Sequence, residues 1–158
     1  MDLHVGDLVF TRGGFSRLDK PMMWLTRNPY THVAGAVGPR KLLEARMFHT
    51  TGYVELTAFR NMVDVFHCPH LSARQRRIVA EYVEDEIGTR YDYLMLLWQV
   101  FRLLTGYVPP YLKNPRRICS TLWADAYREA GMDLCPGVPY PTPGELAASP
   151  LLTKIGEY

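Results

Sequence analysis

Residues 31–46 read THVAGAVGPRKLLEAR. Two strand-like runs, 31–37 and 41–47, flank Gly38-Pro39-Arg40, and glycine with proline between two such runs predicts a hairpin with a loop of about three residues. In an antiparallel pair, opposed residues point to the same face, and faces alternate along each strand. A loop centred on Pro39 sets His32 opposite Arg46 and Glu44 opposite Ala34. His32 and Glu44 are then diagonal neighbours on one face, about 7–8 Å apart at Cα and within side-chain reach. A shift to the next even register opposes them directly; only an odd slip separates them onto opposite faces. Ala34 and Ala36 share the face of His32 and are expected to leave space there for a helix end.

Further strands are expected at 5–10, 53–56 and 62–66, and an irregular helix at 15–27. After residue 70 the pattern turns helical. Ser72-Ala-Arg-Gln75 is a capping box, S-x-x-Q, in which serine accepts from the third helical amide and glutamine reaches back. Ile78, Val79, Tyr82, Val83 and Ile87 mark one face, and Gly88 is the expected stop. A second helix is expected over 93–104, a proline-rich connector over 107–115, and a third helix from Cys119. The tail from Pro136 reads as loop with a short helix at 143–148. Strands first and helices second predict an α+β domain, an antiparallel sheet packed against helices, with 1–158 as a single domain.

Residues 116–131, RRICSTLWADAYREAG, place a cysteine at the mouth of a helix, just after two arginines. Leu122, Trp123, Ala126, Tyr127 and Ala130 recur at helical spacing, and Cys119 continues their stripe at its N-terminal end. That placement suits core filling. It also suits a thiolate, because helix N-termini and nearby cations lower a thiol pKa. A thiolate nucleophile needs a base and a group that orients the base. The candidate bases are His4, His32, His49, His67 and His70, and the hairpin singles out His32 because it ties this residue to Glu44.

Composition bounds the alternatives. A net charge of +2 with no long Lys/Arg run argues against nucleic acid. The most apolar stretch, 93–104, is broken by Gln99 and Arg102 and is shorter than the roughly 20 residues of a spanning helix. No basic segment followed by an apolar one opens the chain, so no secretory signal is expected and the location read from this is cytoplasmic, with release by lysis or unconventional export left open. Three cysteines, Cys68, Cys119 and Cys135, make no disulfide framework and fit a reducing compartment.

Taken in order, GDLVF (6–10), YTHVAGAVG (30–38), LLEAR (42–46), YDY (91–93) and CSTLWADAYREAG (119–131) resemble the circularly permuted branch of the NlpC/P60 papain-like superfamily, the YiiX/YebB-like group. In the ordinary order the cysteine helix precedes the histidine strand; here it comes last, as in the permuted group. The tail PTPGELAASP (141–150) is similar to the proline-led helix that closes such domains. The resemblance implies a permuted papain-like fold, with Cys119 as nucleophile, His32 as general base and acid, and Glu44 orienting His32. The Cys119 amide would serve as an oxyanion donor, with Tyr91, Tyr93 and Ser120 as further substrate or oxyanion candidates. Asp7 reads as a turn or site-wall residue. The implied activity is hydrolysis of an amide bond in a peptide, peptidoglycan-fragment or acyl-amide substrate. A thiol acyltransferase, a lipid amidase or esterase, and a non-catalytic binding module remain open.

No cofactor is called for. His67-Cys68-Pro69-His70 packs three possible metal ligands into four residues but lacks paired spacing and an evident fourth ligand, so no metal is expected. The apolar run 93–112 reads as core packing, as a wall for a lipid-like substrate, or as a homodimer face.

Overall fold

The computed structural model describes residues 2–13, 19–59, 61–108 and 116–158. Its centre is a six-stranded antiparallel sheet in the order β4-β3-β2-β1-β5-β6. The strands are β1 (Leu8–Arg12), β2 (Tyr30–Ala36), β3 (Lys41–Glu44), β4 (Gly52–Glu55), β5 (Val63–His67) and β6 (Thr153–Glu157). The expected hairpin is β2–β3, and its pairs Gly35↔Leu43 and Ala36↔Leu42 keep the register of a loop centred on Pro39. β3 ends at Glu44, short of the expected 47.

The helices are α1 (Asp19–Thr26), α2 (Ala73–Asp85), α3 (Tyr93–Thr105), α4 (Cys119–Glu129) and α5 (Pro143–Ala147). Residues 15–18 of the expected first helix and 109–112 of the apolar run lie outside the described residues. The Ser72–Gln75 capping box is formed: Gln75 N–H donates to Ser72 Oγ at 3.3 Å, and Ser72 N–H donates to Gln75 Oε1 at 3.1 Å. Gly88, at φ +85°, follows the end of α2 as a left-handed turn residue that favours glycine. α5 opens on a second such box, Thr142 with Glu145, and has Pro143 in its first turn.

Alternation divides the sheet into two apolar faces. Leu8, Phe10, Val33 and Leu43 join α2 and α4 in the larger core. Val9, Ala34, Ala36 and Leu42 pack on the other face, with Leu56 and Phe59 of a short 3-10 turn. The small residues at 34 and 36 therefore do not receive the cysteine helix. That role belongs to Gly35 on the opposite face, where an added Cβ would overlap the Trp123 ring.

The tail also differs from the loop expected. β6 is an edge strand on β5 from Thr153 to Glu157. Most of its side chains are exposed, so no buried alternation marks it in the sequence.

Candidate active site

The site begins with the way α4 is seated. Residues 119–127 are buried without a break. Trp123 lies on Gly35, and its indole N–H donates to the Leu43 carbonyl at 3.3 Å. One turn later, the Tyr127 hydroxyl donates to the Gly6 carbonyl at 2.6 Å, and Gly6 adopts φ +90° to turn that carbonyl inward. These contacts fix the helix across β2 and β3. Cys119, one turn before Trp123, is thereby carried to the neighbourhood of His32.

His32 sits on β2 opposite Thr11 of β1. Its Nε2 meets Glu44 Oε2 at 2.6 Å. Cys119 lines the same cleft close enough for its sulfur to act on the ring, and with Nε2 engaged by Glu44, Nδ1 is the nitrogen left to face it. Burial works against the imidazolium. The Cys119 sulfur and then Glu44 outweigh burial, and the His32 pKa is pushed up to about 10. Burial likewise opposes ionisation of Glu44, but His32, with help from Arg46 and His49, holds its carboxyl below the ordinary value.

All three groups line one cleft of about 310 Å³. Met47, Phe48, Val54 and Phe59 give it an apolar wall, and Arg46 and His49 add basic groups. Tyr91 also lines it. Burial, the Cys119 sulfur, Tyr93 and Asp92 raise the Tyr91 pKa, so its hydroxyl stays protonated as a donor. Tyr93 does not line the cleft; its hydroxyl accepts from the Phe48 N–H at 3.0 Å and holds the wall residue in place. Ser120 faces inward, its hydroxyl accepting from Gln99 Nε2 at 3.3 Å. Thr11 is a lining residue that the sequence did not single out, and its buried hydroxyl has no hydrogen-bond partner among the described residues. The signal for it was its place opposite His32, which needs the β1–β2 register.

Backbone contacts stitch the rim together. Thr50 bridges Arg90, and Tyr91 bridges Arg117. Asp92 N–H donates to the Arg117 carbonyl at 3.0 Å, so the start of α3 is tied to the residues just before Cys119.

Asp7 is a turn residue away from the cleft. Its buried carboxylate accepts from the His4 N–H at 2.9 Å and meets His67 Nδ1 at 2.7 Å. His4, Asp7 and His67 bring their ligand-type atoms within 4.8 Å of one another. Cys68 and Cys135 are buried free thiols outside the cleft lining.

No family model matches this chain, and no curated protein matches it. Among solved structures it is similar to the crystal structure of the metalloprotein YiiX from Escherichia coli O157:H7, DUF1105. The TM-score is 0.75 at 17% identity, over 100% of this chain and 99% of that one. The likeness is one of fold.

Proposed function

We propose that this chain is a cysteine-dependent hydrolase of permuted NlpC/P60, papain-like type, cleaving an amide bond in a peptide or cell-wall-like substrate. The observation that carries this reading is the 2.6 Å contact between His32 and Glu44 in a cleft that also holds Cys119. Glu44 holds one ring orientation and stabilises the imidazolium, which is the partner a thiolate needs.

In the first half-reaction the Cys119 thiolate adds to the amide carbonyl carbon and forms the C–S bond. The first turn of α4 leaves backbone N–H groups without intrahelical partners, and these, with the Tyr91 hydroxyl, are the donors for the developing oxyanion. The His32 imidazolium gives its proton to the leaving amine as the C–N bond breaks. In the second half, neutral His32 takes a proton from water, whose oxygen attacks the thioester. The acid departs, and thiolate and imidazolium are restored. An acceptor other than water would make the same site a transferase. The apolar wall at Met47, Phe48, Val54 and Phe59 favours this second reading for an acyl or lipid-like substrate.

A metal has no part in this reading. His4, Asp7 and His67 do not fit a divalent ion well. The Asp7–His67 hydrogen bond uses two of the ligand atoms, and the Arg76 guanidinium lies 3.4 Å from His67 Nε2 and 3.9 Å from Asp7 Oδ1. A fixed cation there opposes a second one.

Replacing Cys119 with alanine should abolish turnover of amide substrates and leave the fold intact; turnover that persists would overturn the assignment. Iodoacetamide should label Cys119 ahead of Cys68 and Cys135 near neutral pH, whereas equally slow labelling of all three favours a binding module. The pH dependence follows from the two shifts. The raised His32 pKa contributes stability that is complete below its unfolded value of 6.5 and is lost as pH rises through about 10. The depressed Glu44 pKa contributes stability that is present above 4.5 and is lost as pH falls through the lower folded value. By NMR the His32 ring should remain imidazolium through neutral pH, and Cys119→Ala should move its titration downward. A ring already neutral at pH 7 would sink the ion-pair reading.

A further inference from the structure

α3 is amphipathic with its faces reversed. The side turned to the protein carries Met95, Gln99 and Arg102. Gln99 is 2% exposed and donates to the carbonyls of Pro141 at 2.7 Å and Tyr140 at 3.3 Å. Arg102 makes a two-point contact with Glu145 at 2.8 and 2.6 Å. The outward side carries Leu94, Leu97, Trp98, Phe101 and Leu104, continued by Tyr107, all exposed. Leu97 is 66% and Leu104 67% exposed. At the N-terminal end of the helix, the apolar surface runs on from Tyr93 to Phe48, which is 82% exposed and is also a wall of the cleft.

Among the described residues near the root of this helix, Arg117 is buried against Glu86 at 2.6 Å and Arg102 is held by Glu145, while Arg90 and Arg116 are exposed. Arg46, His49 and Arg90 are exposed at the turn beside the cleft, where Thr50 bridges Arg90. An exposed apolar helix face with tryptophan and tyrosine, rooted beside the exposed bases Arg46, His49 and Arg90, complements an anionic lipid surface. α3 spans about 20 Å along its axis. No helix among the described residues is long and apolar enough to cross a membrane. The geometry is that of a helix lying on a surface.

We propose that the exposed face of α3, extended by Tyr93 and Phe48, docks this protein on anionic lipid surfaces, so that the cleft opens beside the headgroup layer. Docking is independent of the catalytic reading and is tested without it.

The full chain carrying Cys119→Ala should float with phosphatidylcholine vesicles containing about one-quarter phosphatidylglycerol, and not with phosphatidylcholine alone. Leu97→Asp or Leu104→Asp should lower the partition coefficient about tenfold or more. Arg90→Gln should lower it about fivefold. Raising salt from about 0.1 M to about 0.5 M should weaken it. Circular dichroism of each variant checks that the fold is retained. Absence of flotation overturns the proposal. So does flotation that Leu97→Asp and Leu104→Asp leave unchanged, or a concentration-dependent dimer, seen by sedimentation, that uses the same leucines and excludes vesicles.

Discussion

α3 and α4 are helices of similar length and comparable sequence amphipathicity, yet they are held in opposite ways. α4 is buried from Cys119 to Tyr127 and is keyed to the sheet by apolar bulk, with Trp123 on Gly35. α3 is the more hydrophobic in sequence, but Met95 and Gln99 are its buried residues, and it is held by polar contacts to Tyr140, Pro141 and Glu145. Hydrophobicity therefore does not decide which helix is inside. What decides it is whether the apolar stripe has a complementary surface: Gly35 supplies one for α4, and the described residues supply none for the outer stripe of α3.

Substitutions break this contrast in graded steps. Trp123→Ala should cost the most, about 3–5 kcal/mol, because it empties a fully buried site and loosens the seat of Cys119. Chemical denaturation measures it, and a cost below that of Gln99→Ala would refute the asymmetry. Gln99→Ala should cost about 1–3 kcal/mol, since it strands the Pro141 and Tyr140 carbonyls against a buried patch. Leu104→Ala, by contrast, should stay within about 0.5 kcal/mol despite removing a leucine.

The same contrast separates what could be read in the chain from what could not. Local rules served where a short segment sets its own geometry. Gly38-Pro39-Arg40 gave the hairpin centre, and through it the neighbourhood of His32 and Glu44; Ser72-Ala-Arg-Gln75 gave a helix start. Cys119 was visible as the leading residue of an apolar stripe. The rule that one strand face receives the helix failed. His32 shares its parity with Ala34 and Ala36, yet α4 crosses on the face of Gly35, and Cys119 reaches His32 with the tip of the helix rather than its flank. A helix end can meet a strand end regardless of parity, and parity arguments do not contain that option. β6 was unreadable for a different reason. Thr153–Glu157 buries little, and its strand character comes from the free edge of β5 rather than from its own residues. The outward stripe of α3 was open to three readings because periodicity gives the width of an apolar face and not the surface that faces it.

The bridges Thr50↔Arg90 and Tyr91↔Arg117 have a mechanical consequence. They make the root of α3 a splice between the turn that carries Phe48 and the residues that precede Cys119. A displacement of α3 would be shared between these bridges and the contacts of Gln99 and Arg102 with Tyr140, Pro141 and Glu145, so the outer helix and the entry to the cysteine helix are geared together at one end.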